Sequence, residues 1–198
     1  MARFRGQATL EVMAIAILMF LVQLVLASIG YGVEMFALAA PLLDRPWTII
    51  TAVYAHGSLD HLIANLVGLV LFGLLVERRS TRGRFHAFVL LTGVIAALAQ
   101  IVIATLLGSS AGVLGISGAV FALMGYLLTS NPVTESVIGW FQLNARAQLV
   151  LMFAMAIAIT WVTWGEQVAV FGHFAGFSLG LLAGRMHVLR VDQAHQSV

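Results

Sequence analysis

The 198-residue chain is 61% hydrophobic and 9% charged, with a mean hydropathy of +1.02. That composition excludes a water-soluble domain, which needs far more polar surface, and places the protein in a membrane. It has no cysteine, which removes disulfides, thiolate metal sites and a cysteine nucleophile. Its ten basic residues are all arginines, spread near the ends of apolar runs, a distribution suited to membrane topology and not to nucleic-acid binding.

A spanning helix needs about 20 apolar residues. Runs of that kind predict six transmembrane helices, at about 10–31, 57–76, 85–107, 117–131, 147–164 and 168–188. The first follows Arg3 and Arg5 as a signal peptide would, but it is longer than a typical h-region and is read as a retained helix. Arg3, Arg5, Arg78, Arg79, Arg82, Arg84, Arg146, Arg185 and Arg190 fall on one side of this arrangement and only Arg45 on the other. The positive-inside rule then puts both termini in the cytoplasm and the connections 32–56, 108–116 and 165–167 outside. The chain reads as a single all-α domain over 1–198, with short cytoplasmic ends at about 1–9 and 190–198. The connection 32–56 is too apolar for a free loop and too broken by Pro41 and Pro46 to span, so it is expected in the membrane interface, with Trp47 and Tyr54 at headgroup level.

The fourth segment differs from the others. Gly112, Gly115 and Gly118 punctuate its entry, Asn131-Pro132 closes it, and a helix from Ser117 to Asn131 reaches only about 22 Å against a hydrocarbon core of about 30 Å. A helix that ends inside the membrane leaves its loop at membrane depth, where free backbone groups survive only in protein or beside water. Ser117 is then a candidate nucleophile. The competing reading is that the glycines simply allow close helix packing and the serine is a minor polar contact.

Polar groups inside spanning helices are costly and mark candidate sites. His61, Asn65, Gln100, Ser117, His173 and Ser178 remain once helix ends are set aside. His61 and Asn65 are four apart and share one helix face. Gly172, Gly176, Gly180 and Gly184 clear a stripe along the sixth helix, and packing of that stripe on the fourth helix would carry His173 toward Ser117. An imidazole beside a hydroxyl is the minimum for nucleophilic catalysis, although a packing role for His173 is equally open at this point. No intramembrane carboxylate stands out to orient the histidine, so the arrangement would be a dyad, with the Ser117 N–H, His61 and Asn65 as oxyanion donors.

These residues resemble the rhomboid family of intramembrane serine proteases. Gly115-Ile116-Ser117-Gly118 is similar to its GxSG motif, His61 to Asn65 to its HxxxN, and His173-Phe174-Ala175-Gly176 running on to Gly180 to its HxxGxxxG, in the same order along the chain. The resemblance implies a six-helix bundle with a short central fourth helix. It implies Ser117 as nucleophile, His173 as general base and then acid, and Ser117, His61 and Asn65 as the oxyanion hole. Single-pass transmembrane proteins of the lipid bilayer would be the substrates, cut near their external ends by an enzyme of the cell membrane that needs no cofactor or metal. His56 matches a family histidine close to the site, and Glu77 with Arg79 a structural ExR pair. There are two departures. Trp47 is followed by Thr48 where the family commonly has arginine, so a cross-loop arginine contact is expected to be missing. Phe121 stands where tyrosine is common, which keeps ring stacking on the histidine and loses a phenolic hydrogen bond.

Two other functions compete with proteolysis: a catalytically inactive relative that binds transmembrane partners, and a carrier in which His56, His61 and His173 ligate haem or a metal ion. Substrate helices are expected to enter beside the fifth segment, past Phe153 and Trp161, with Phe171 in the segment that covers the site.

Overall fold

The structure, a computed structural model, describes residues 6–130, 146–147, 150–151, 154, 157–158 and 169–191. The expected helix at 147–164, with Phe153 and Trp161, lies for the most part outside the described residues. Those described are helical, with no strand longer than a single bridge. The helices are α1 (Gln7–Ser28), α2 (Thr48–Tyr54), α3 (Leu59–Glu77), α4 (Arg82–Leu106), α5 (Ser117–Thr129) and α6 (Val170–Arg185). Three of them, α1, α3 and α4, are long and apolar enough to cross a membrane. In hydrocarbon every backbone group needs an internal partner, which is why such apolar runs fold as uninterrupted helices.

The expected segments return as α1, α3, α4, α5 and α6 with shifted ends. The start of α1 at Gln7, inside the stretch expected as a polar end, has a tertiary cause. The carboxylate of Glu77, at the far end of α3, accepts from the N–H groups of Gly6 (3.1 Å), Ala8 (3.0 Å) and Thr9 (2.8 Å). A negative group on the unpaired donors of a helix start satisfies them and complements the helix dipole. The helix therefore begins earlier than its apolar pattern does. Inside α3, Leu69–Gly73 forms one wider π turn, with Gly73 backed by Thr9 of α1.

The connection 32–56 is ordered and contains a short helix. Thr48–Tyr54 is a helix, and the backbones of Leu38 and Val113 exchange two hydrogen bonds (2.9 and 2.8 Å) that tie this connection to the loop before α5. The expectation of a missing cross-loop arginine contact is corrected here. Arg45, three residues before Thr48, donates to the Glu34 carbonyl, and the Trp47 indole donates to the Met35 carbonyl (3.0 Å). Thr48 is buried instead and donates to the carbonyl of Arg45 (2.6 Å), so its hydroxyl shapes the turn that aims the arginine.

Helix α5, about 20 Å long from 13 residues, sits among α3, α4 and α6. Its closest partner is α6, and glycines make the approach possible. A Cβ placed on Gly176 would overlap the Gly118 carbonyl, one on Gly180 the Ala122 carbonyl, and one on Gly125 would lie 2.5 Å from the Phe177 carbonyl oxygen. Backbone therefore rests on backbone, and dispersion between small residues replaces the hydrophobic effect that lipid cannot supply. Gly180→Val puts three carbons where a carbonyl already sits. It should cost about 3 kcal/mol or more and lower the thermal midpoint in detergent; an unchanged midpoint would mean that the stripe tolerates side chains.

Candidate active site

Ser117 is the first residue of α5. The turn that delivers it depends on Gly115, whose φ of 118° lies in the region that side chains disfavour. The Gly115 N–H donates to the Ala52 carbonyl (2.8 Å), so α2 holds the turn. A Cβ on Gly115 would lie 2.6 Å from Cε1 and 2.9 Å from Nε2 of His61. Glycine is thus needed twice, for its backbone angle and for the imidazole pressed against it. As the first residue of a helix, Ser117 has an N–H with no intrahelical acceptor.

His173 lies in the first turn of α6, and its Nε2 is 2.9 Å from Ser117 Oγ. A serine hydroxyl that donates across this contact requires the tautomer with its ring proton on Nδ1. Nδ1 is buried, and among the described residues neither a carboxylate nor any other group is hydrogen-bonded to it. Packing orients the ring instead. Phe121, one turn beyond Ser117, stacks on the imidazole with centroids 4.3 Å apart and planes 15° from parallel. Below the pair, Gly176 and Gly180 hold α6 against Gly118 and Ala122.

The second group lies on α3. Ser58 accepts from the His61 N–H (3.2 Å) and caps the helix, which fixes His61 in the first turn. One turn on, Asn65 is buried and its Nδ2 donates one of its two amide hydrogens to the His61 carbonyl (3.0 Å). His56 is fully buried, its ring edge-on to that of His61 with centroids 5.1 Å apart. Its Nδ1 is 3.0 Å from the Tyr54 carbonyl, and its Nε2 is without a partner among the described residues. The structure therefore brings Ser117, His173 and Phe121 into direct contact, sets His61 against the serine loop and His56 against His61, and puts Asn65 beside His61. The histidines form no group of three or more metal-ligating side chains among the described residues.

Sequence reading passed over Gln23, in the last third of α1. Its amide donates to the His56 carbonyl (3.1 Å) and accepts from the His56 N–H (3.0 Å), a two-bond clamp that secures the chain just before α3. The available signal was a lone amide within an otherwise apolar run, which hydrocarbon tolerates only when it is bonded.

The fold and this site define a helical membrane protein with a serine–histidine pair at the mouth of a short buried helix. The rhomboid domain family model matches residues 43–190, and the chain belongs to the rhomboid family. It is 30% identical over 187 residues to a rhomboid protease GlpG of Salmonella choleraesuis, covering 91% of this chain and 64% of that protein. It is 31% identical over 140 residues to the mitochondrial RHOMBOID-like protein 6 of Arabidopsis thaliana, covering 70% and 44%. Against Rhomboid-like protease 3 of Toxoplasma gondii it is 25% identical over 138 residues, covering 68% and 49%. The chain thus spans less than two thirds of the length of each of these relatives.

Gln23→Leu strands the His56 N–H and carbonyl in a buried place. It should destabilise the protein by about 2 kcal/mol, read as a lower thermal midpoint. A midpoint equal to wild type would show that the clamp is dispensable.

Proposed function

We propose that this protein is an intramembrane serine endopeptidase that cuts the transmembrane segments of other membrane proteins by a Ser117–His173 dyad. The observation that carries the reading is the 2.9 Å contact between Ser117 Oγ and His173 Nε2 at the start of a helix too short to span. Support comes from membership of a family whose matched relatives include a rhomboid protease GlpG and a rhomboid-like protease.

In this mechanism the Ser117 hydroxyl attacks the scissile carbonyl while His173 Nε2 takes its proton. The imidazolium that results lies face to face with Phe121, whose ring quadrupole attracts the new positive charge where a triad would offer a carboxylate. The tetrahedral oxyanion accepts hydrogen bonds from the Ser117 N–H, His61 and the second amide hydrogen of Asn65. His173 returns the proton to the leaving amine, breaking the C–N bond, and water then releases the acyl-enzyme by the same steps. No cofactor is required. In the full reading, one domain over 1–198 spans the cell membrane six times with both termini in the cytoplasm. Its site opens outward, and single-pass proteins are cut near their external ends.

An inactive, partner-binding relative would have no use for a nucleophile bonded to its base, and a histidine-ligated cofactor carrier leaves that bond unexplained. Ser117→Ala and His173→Ala should each abolish cleavage of a transmembrane substrate and labelling by a fluorophosphonate. The double variant should be no worse than either, since the pair acts as a unit. Cleavage by Ser117→Ala at the wild-type rate would refute the assignment.

His61→Ala and Asn65→Ala should each lower kcat about 10²-fold with the fold intact, the usual effect of losing one oxyanion donor while the others remain. Loss of all activity in a folded His61→Ala variant would give that residue a role beyond oxyanion binding.

A further inference from the structure

Gln100 is an intramembrane polar residue of α4 that bonds outside its own helix and for which neither the dyad nor the oxyanion donors account. It is half-buried near the Leu106 end of the helix, and its Oε1 accepts from the Gly172 N–H (3.1 Å). Gly172 is the third residue of α6, so this N–H is one of the donors that a helix start leaves without an intrahelical acceptor. Ala169, the residue before the helix, offers no side-chain oxygen for the purpose. The cap of α6 is supplied from another helix.

The same face of α4 reaches the serine. Ala96, four residues before Gln100, packs on Gly118 so closely that a Cβ there would lie 2.5 Å from the Ala96 Cβ. A Cβ on Gly172 would lie 3.1 Å from the Ala96 carbonyl oxygen and 3.5 Å from the Gln100 Cβ. One turn of α4 therefore touches the residue after Ser117 and the residue before His173.

We infer that Gln100 is a positioning residue of the dyad: its amide oxygen, by capping α6 at Gly172, sets where along α5 the His173 ring meets Ser117. The inference rests on the proposed serine-protease reading for its effect on rate, but not for its effect on the imidazole. With the cap removed, the first turn of α6 has an unpaired donor in apolar surroundings and is free to shift or unwind. A displacement of about 1 Å between reacting groups costs about 10²-fold in rate.

The test compares wild type, Gln100→Leu, which keeps bulk and loses the acceptor, and Gln100→Glu, which keeps an acceptor oxygen. Cleavage and fluorophosphonate labelling are measured per folded molecule, together with the 15N spectrum of the His173 imidazole. Gln100→Leu should lower kcat and the labelling rate about tenfold or more with KM little changed and should move the His173 resonances. Gln100→Glu should restore both in part. A merely structural role would lower the folded fraction and leave the rate per folded molecule and the His173 resonances at their wild-type values, and that result would overturn the inference. If Gln100→Leu does not fold, Gln100→Asn, which withdraws the acceptor by one methylene, takes its place under the same two outcomes. If wild type neither cleaves nor labels, the protease reading fails, and the His173 resonances alone then decide the role of Gln100.

Discussion

The constraint on which the rest depends is the distance between α5 and α6. Nothing in hydrocarbon pulls two apolar helices together more strongly than either is drawn to lipid, so their association relies on contact area and shape. Gly118, Gly125, Gly176 and Gly180 remove the side chains that would hold the two backbones apart. Ser117 and His173 lie at the same end of that contact, each one residue or one turn from a glycine within it. The hydrogen bond between them is short because the helices beneath them touch.

Two helix starts are satisfied from elsewhere in the chain. Glu77 serves α1 across about 70 residues of sequence and Gln100 serves α6 across 72, while α3, with Ser58, and α4, with Thr81, use a side chain of their own entry turn. A local cap fixes one helix. A distant cap fixes one helix relative to another, which a bundle without a strong hydrophobic drive between its helices needs more.

This explains what could be read from the sequence and what could not. The apolar runs, the short fourth segment, the glycine stripe and the polar residues His61, Asn65, Ser117 and His173 are all visible as periodicity or as residues out of place in hydrocarbon. The start of α1 was not visible, because it is set by Glu77, which lies far off in sequence. Helix α2 was hidden by the two prolines before it, Pro41 and Pro46, and by its length of seven residues, too short to show a period. Gln23 lay in a run whose other residues all said lipid, and its partner is a backbone peptide that leaves no mark in a sequence. The role of the cross-loop arginine moved by three positions to Arg45, a change that pattern matching at Thr48 reads as a loss.

The π turn at Leu69–Gly73 bears on how the two ends of α3 relate to each other. Asn65 and Glu77 are twelve residues apart, and at about 100° per residue a regular helix would carry the carboxylate about 120° round from the amide. The wider turn holds one residue more than an α turn and takes back most of that angle. It works as an inserted residue whose rotation has been absorbed, so the stretch that carries His61 and Asn65 and the stretch that carries the cap of α1 stay in phase. The geometry of α3 therefore tolerates the loss of one residue from 69–73, with a return to regular winding, far better than the gain of one.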